Sequence, residues 1–403
     1  MRFTLTTQNV LSYLAEQKIC RSDDLRQDPL DSVESRLGKN FNLLVHLNST
    51  QPPQHLLVKQ ESRNRSGQVM GDLGREWQLY QQLTQLPEWQ ILQAWLPEAI
   101  HFDADRAILI LNYLLDYQDL ETFYVETKQF PIEIAAMVGL SLATFHRATW
   151  QNSAFLAWFH SLPESSEPAA NPAAEFYQEM SELTPELWCK VPREGIQFYR
   201  LYQRDSKLAA AIADLGRANR ICCLTHHDLK FNNILLAIHP TDPIAGSGVP
   251  GLSPLVTTSP LLPPRIRLID WEKWDWGDPS FDLGTLVAGY LKLWLKSLPL
   301  SREIEIETVL QWAGLPLDRL QPSLQALLQA YQQAFPEIGQ DGNFLQRVVQ
   351  QAGLVLCKSI QTRLYYQEPF DNVSIAMLQV GRTLLCQPQS SLPTLFGIVA
   401  KED

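Results

Sequence analysis

Leu224-Thr-His-His-Asp-Leu-Lys-Phe-Asn-Asn-Ile-Leu-Leu236 is the most informative stretch of this 403-residue chain. It holds His226-x-Asp228-x-x-x-x-Asn233 and then runs into apolar residues of strand composition. Phosphoryl transfer needs a carboxylate at the attacking hydroxyl and an oxygen ligand for Mg²⁺ a few ångströms away, and this spacing supplies both from one loop. A second stretch, Ile266-Arg-Leu-Ile-Asp-Trp-Glu272, brings Asp270 to the end of a hydrophobic strand, where its carboxylate falls in the bend and suits a metal. Each has an ordinary explanation too: a lone H-x-D is commonly a hydrogen-bonded loop, and a strand-terminal aspartate a turn residue. In this order, and downstream of a strand-borne lysine, the two together are more specific.

That lysine lies in the N-terminal third. Thr7 followed by Val10, Leu11 and Leu14 reads as a capped amphipathic helix ending near residues 21–24. Phe41, Leu43, Val45 and Leu47 alternate after a turn at Gly38-Lys-Asn40, which predicts a hairpin from Val33 to Leu47. His55-Leu-Leu-Val-Lys-Gln60 is a third strand with Leu57 and Lys59 on one face, and Leu57 on that face favours an inward lysine. Trp77, Tyr80 and Leu83 mark a helix over Leu73–Leu86 with Glu76 on it. Ala99–Phe102 and Ala107–Leu111 flank a second hairpin turn. Helix, three strands, helix and two strands describe a small α+β lobe.

Beyond Asn112 the pattern turns helical. Ile132–His146 is amphipathic, helical pieces separated by Pro-rich loops fill 150–220, and several helices fill 300–385, Asn343–Tyr366 the longest. Residues 239–264 hold seven prolines and three glycines without periodicity and are expected to form a flexible loop.

Composition bounds the function. With 33 Lys+Arg against 44 Asp+Glu the net charge is −11, which repels a phosphate backbone and argues against nucleic-acid binding; a cationic or metal-chelated partner suits that field better. The longest apolar candidate for a membrane span, Ala107–Leu115, is short and interrupted by Asn112, and MRFTLTTQNV lacks the apolar core of a signal peptide. Six cysteines without a C-x-x-C pair fit reduced thiols in a cytoplasm and give no zinc spacing.

From about Val33 to Tyr290 the chain resembles the aminoglycoside phosphotransferase and choline kinase branch of the protein-kinase-like fold, most strongly at 226–236 and 266–284. The resemblance implies a bilobal α+β architecture: a small antiparallel-sheet N-lobe over 1–111 and a large, mostly helical C-lobe over 112–403. It implies an ATP- and Mg²⁺-dependent phosphotransferase. Lys59 would hold the α- and β-phosphates and Glu76, 17 residues on, would pair with it. Asp228 would be the catalytic base, Asn233 and Asp270 metal ligands, Asp282 in Gly277-Asp-Pro-Ser-Phe-Asp-Leu-Gly284 a brace for the catalytic loop, and His226 a second brace. Asn40 and Asn112 are nucleotide-binding candidates, and Asn40 would have to help cradle phosphate, since the first hairpin carries only Gly38 in place of a glycine-rich loop. Lys230 would approach the γ-phosphate, as the corresponding lysine of serine/threonine protein kinases does. Eleven residues between Asp270 and Asp282 leave no room for a long activation loop.

Alternatives stand beside several of these. Glu61 and Asp72 lie near Glu76, Lys59 could point to solvent, and Trp271, Trp274 and Trp276 could stack on an organic substrate or simply pack a core. His227 reads as a loop residue. The expected acceptor is a small-molecule hydroxyl; a Ser or Thr of a peptide, such as a ribosomal precursor peptide, is the alternative. A catalytically inactive nucleotide-binding scaffold is a third reading, against which the joint presence of Lys59, Glu76, Asp228, Asn233 and Asp270 speaks.

Overall fold

In the computed structural model the chain opens with helix α1 (Val10–Glu16). Its cap is reciprocal: the Asn9 amide N–H donates to Thr6 Oγ1 and the Thr6 N–H to Asn9 Oδ1, so the capping threonine is Thr6, not Thr7. The helix also stops earlier than residues 21–24, because Lys18 adopts φ +61° and the Ile19 N–H closes back on the Leu14 carbonyl. The structure describes residues 3–21, 33–36, 41–48, 53–64, 69, 71–85, 89–162, 171–182, 184–185, 189, 191–238, 265–301 and 303–397. The expected 239–264 loop and the Gly38–Asn40 turn lie outside them.

Strands β1 (Val33–Arg36), β2 (Phe41–Leu47) and β3 (Gln54–Gln60) precede helix α2 (Leu73–Gln85); β4 (Ala99–Asp103), β5 (Ile108–Asn112) and β6 (Tyr117–Asp119) follow it. Then come α3 (Leu120–Thr127), α4 (Ile132–Thr149), α5 (Ser153–Ser161), α6 (Pro172–Ser181), α7 (Ile196–Arg204) and α8 (Ser206–Arg217). Short strands β7 (Cys223–Thr225), β8 (Ile234–Ala237), β9 (Ile266–Leu268) and β10 (Asp275–Gly277) surround the two motif stretches. Helices α9 (Pro279–Ser297), α10 (Gln321–Ala334), α11 (Phe344–Tyr365), α12 (Asn372–Cys386) and α13 (Pro388–Phe396) complete the order. A five-stranded antiparallel sheet followed by a mostly helical region is the α+β architecture expected from the sequence.

Two compact units divide the chain: residues 1–119 with 233–274, and residues 120–232 with 275–403. In the first, the sheet runs β1-β2-β3-β5-β4, all neighbours antiparallel, and β6-β8-β9 form a smaller antiparallel sheet. Period-two alternation gives the large sheet two different faces. Leu43, Val45 and Leu47 of β2, Leu56 and Val58 of β3, and Ile108 and Ile110 of β5 form a core with Val10, Leu11, Tyr13 and Leu14 of α1. Lys59, which lies opposite Asn42 and Leu109, falls on the other face with Leu57. Lys59 is turned inward as expected, but not into the core packed by α1. Leu57 is only half-buried, the α1 core belongs to Leu56 and Val58, and the lysine is buried on the opposite side by acidic partners.

In the second unit α4 packs on α10, and α9 lies on α11, which in turn lies on α12. Helix α9 starts cleanly: the Asp278 side chain accepts from the Ser280 N–H at 2.9 Å and Pro279 occupies the first turn. Every residue from Pro279 to Leu291 is buried, Asp282 included, so this part of the helix lacks the one-sided apolar stripe by which a surface helix is read.

Candidate active site

The first unit gathers Lys59, Glu76 and Asp270. Lys59 is 7% exposed and Glu76 fully buried; the ammonium donates to Asp270 Oδ1 at 3.0 Å and to Glu76 Oε2 at 3.4 Å. Burial alone would favour loss of the lysine proton, but Glu76 and Asp270 reverse this and hold its pKa above the ordinary lysine value. The other carboxylate oxygen of Glu76 accepts from the Tyr80 hydroxyl at 2.8 Å and from the Trp271 N–H at 3.4 Å. Glu76 is thus the acidic partner among the three considered. Glu61 accepts instead from the Leu73 N–H at the start of α2, and the Asp72 carbonyl accepts from the Arg75 and Glu76 N–H groups.

Asp270 follows β9 in the left-handed region, φ +66° and ψ 53°, which turns the chain into a single 3₁₀ turn over Trp271–Lys273. Arg75 and Trp274 fix that turn to α2. The guanidinium lies 5.2 Å from the indole centroid and donates to the Trp274 carbonyl, while the indole N–H donates to the Arg75 carbonyl. Asn233 is brought beside Asp270 by the β8–β9 pairing, the Ile269 N–H donating to the Asn233 carbonyl at 3.0 Å. Asn112 ends β5 half-buried, its N–H on the Glu98 carbonyl, and lines a cavity of about 550 Å³ with His55, Tyr113 and Asp116. Asn40 lies outside the described residues.

The second unit holds the remaining candidates around Asp282. This fully buried carboxylate accepts from the His226 N–H at 2.6 Å, the His227 N–H at 3.0 Å and His146 Nε2 at 3.3 Å. With its proton on Nε2, His146 accepts at Nδ1 from the Tyr331 hydroxyl, 2.8 Å away, whose own pKa burial pushes well up. Burial opposes ionisation of Asp282, but the His146 hydrogen bond and the neighbouring imidazoles outweigh it and hold the carboxyl below its usual range. His227 takes φ +60°, stacks on Phe281 at 5.2 Å between ring centroids, and is kept towards the neutral form by burial. It is more than a loop residue. Gly277 leaves room for it, since a Cβ there would come within 2.7 Å of His227 Nε2.

The anchored turn presents Asp228, whose N–H donates to His226 Nδ1 at 3.3 Å and whose carboxylate is 3.2 Å from Lys230 Nζ. Trp271, Trp274 and Trp276 are buried, Trp276 stacking on Phe155 at 5.6 Å, so the indoles pack the interior. The sequence reading missed Tyr80, Arg75, His146 and Tyr331. His146 lies 136 residues from Asp282, and only the fold brings them together.

Among the described residues no group of three or more His, Cys, Asp or Glu side chains is arranged to hold a metal by itself. Asp270 and Asn233 offer one carboxylate and one amide oxygen, a donor set that would fit Mg²⁺, which keeps water and substrate phosphate oxygens and takes only one or two protein carboxylates. No helix among the described residues is long and apolar enough to cross a membrane.

No family model and no curated protein matches the sequence. Solved structures do. A choline kinase from Streptococcus pneumoniae is 14% identical, with 94% of this chain and 98% of that one covered and a TM-score of 0.47. A choline kinase from Cryptosporidium parvum is 12% identical, covering 96% of each chain with a TM-score of 0.48. An ADP-bound aminoglycoside phosphotransferase, APH(2'')-Ib, is 16% identical over 96% of this chain and 99% of that one, with a TM-score of 0.45. The functional reading rests on the residues themselves.

Proposed function

We propose that this chain is an ATP- and Mg²⁺-dependent phosphotransferase that moves the γ-phosphoryl group of ATP to a hydroxyl of a small molecule. One observation carries the reading: a buried, charged lysine held by a helix glutamate and by an aspartate in left-handed backbone after a strand. A purely structural ion pair would gain little there, because desolvating the charges costs about as much as their attraction returns. In this reading Lys59 exchanges part of its contact with Asp270 for nucleotide phosphate while Glu76 keeps it aimed. Asp270 and Asn233 are the metal's protein ligands. Bound Mg²⁺ would neutralise charge on the phosphates.

Asp228 is the base in this reading, accepting the proton of the acceptor hydroxyl. Asp282 and His226 set the turn that presents it, and Lys230 neutralises charge in transit on the transferred group. A peptide acceptor is the competing reading, favoured by Lys230. Incubation with γ-labelled ATP and a size-fractionated cell extract separates them: label in the small-molecule fraction is the expected result. Label confined to Ser or Thr of a peptide would replace the acceptor, and no transfer to either would refute the phosphotransferase.

A further inference from the structure

Beside the proposed base, α9 carries an unmatched positive charge. Phe231, next in the chain to Lys230, packs against this helix where Gly289 leaves it bare; a Cβ on Gly289 would lie 2.9 Å from the Phe231 ring. Phe231 also packs edge-on against Tyr290 and Tyr124, with centroids 4.9 and 5.2 Å away, and the two tyrosine hydroxyls are hydrogen-bonded to each other. Gly289, Lys292 and Lys296 recur at helical spacing on the face so fixed, and helical side chains lean back towards the N-terminus. Lys292 therefore reaches towards the loop of Asp228 and Lys230.

Its neighbours are already engaged. Lys296 is 4.0 Å from Glu121, and Lys230 is 3.2 Å from Asp228. Among the described residues no carboxylate comes within ion-pair distance of the half-buried Lys292. Burial, with Lys296 and then Lys230 on the same side and Glu121 and Asp228 opposing, depresses its pKa below the ordinary lysine value. Among the described residues that act on it, two ammonium groups are matched by two carboxylates, and the charge of Lys292 itself is left over. The net charge of −11 acts over distances that salt screens beyond about 8 Å, so a molecule at Asp228 meets this local positive excess instead.

We propose that Lys292, together with Lys230, recognises an anionic group on the acceptor, making the substrate class a hydroxylated compound that bears a carboxylate or a phosphate. The inference deepens the phosphotransferase reading and rests on it. It reverses the expectation of a cationic partner drawn from overall composition. An acid group held by Lys292 would orient the acceptor and draw off a charge that otherwise competes for Asp228. An acceptor bearing a quaternary ammonium would lose that interaction and meet like charge.

Lysine acylation followed by mass spectrometry tests this without knowledge of the natural acceptor. The full chain is loaded with Mg²⁺ and a non-hydrolysable ATP analogue, and acylation rates are read at Lys292, at Lys230 and at exposed Lys18. Inorganic phosphate, malonate, glycerol and choline are titrated in separately. Phosphate or malonate should slow acylation of Lys292 and Lys230 by about tenfold at roughly ten times its Kd, leaving Lys18 unchanged. Which of the two protects tells a phosphate-bearing from a carboxylate-bearing acceptor. In Lys292→Gln the protection of Lys230 should disappear. Absence of protection by both anions, equal protection by glycerol or choline, or undiminished protection of Lys230 in Lys292→Gln would overturn the proposal. Calorimetric uptake of the analogue by the same samples reports the phosphotransferase reading separately; if there is none, that reading fails and this inference falls with it.

Discussion

Replacing Asp282 with asparagine should destabilise the second unit by about 3–5 kcal/mol, because a buried carboxylate that accepts several hydrogen bonds gives way to a group that cannot accept them all. The structure shows why. Two backbone N–H groups, from His226 and His227, and the His146 imidazole all converge on one fully buried carboxylate. Asparagine keeps one accepting oxygen and turns an NH₂ towards the remaining donors. At least one hydrogen bond to a charged group is lost, about 1.5–3 kcal/mol, and one buried donor is left unsatisfied, about 1–3 kcal/mol more. Urea unfolding of wild type and Asp282→Asn at neutral pH measures the difference.

The pH dependence gives a second readout with a definite sign. The folded-state pKa of Asp282 is held below its unfolded value, so its stabilisation is fully present above the unfolded value, near pH 4, and is lost as pH falls through the folded value. The wild type should lose stability over that acid range, and Asp282→Asn should lack this component. Equal stability of the two proteins at neutral pH, or identical acid profiles, would refute the role given to this carboxylate.

Lys230→Ala should lower turnover by about 10²–10³ and weaken acceptor binding with ATP affinity unchanged, because it acts on the transferred group in the transition state and on the acceptor, not on the bound nucleotide; weakened ATP binding in calorimetry would contradict that. Glu76→Gln should cost about 3 kcal/mol, the lower end for a broken buried pair since Asp270 still holds Lys59, and an unaltered urea midpoint would count against the pair. Gly284→Ala should cost about 1–3 kcal/mol of stability, since the new methyl would lie 2.6 Å from Gln351 Cβ and 2.8 Å from the Val348 carbonyl; an unchanged Tm would contradict the close approach of α9 to α11.

Local pattern carried much of this molecule. Alternation in Phe41–Leu47 and the run around Lys59 located the sheet, and the spacing of Trp77, Tyr80 and Leu83 located the helix that bears Glu76. Alternation assigns residues to two faces without saying which one is the core. Lys59 was placed with Leu57 correctly, but the α1 core turned out to lie on the other side. Helix α9 escaped reading beyond its first residues because burial on every side erases the amphipathic signal.

The site divides along the same line. Asp228, Asn233 and Asp270 could be named as candidates because each belongs to a short motif with fixed spacing. His146 and Tyr331 were not, since their roles depend on α4 and α10 packing together to meet Asp282. Lys292 did not stand out for a related reason: the role proposed for it depends on Gly289 and Phe231, which seat α9 against the loop of Asp228.

Calorimetric titration of Mg²⁺–ATP into Asp228→Asn and Asp270→Ala, with turnover measured on the same samples, tests the assignment of a base and a metal ligand most directly. Asp228→Asn should bind the nucleotide as the wild type does and turn over about 10²–10⁴ times more slowly, the usual contribution of a general base. Asp270→Ala should lose Mg²⁺-dependent nucleotide binding. Equal loss of binding in both variants, or full turnover by Asp228→Asn, would contradict it.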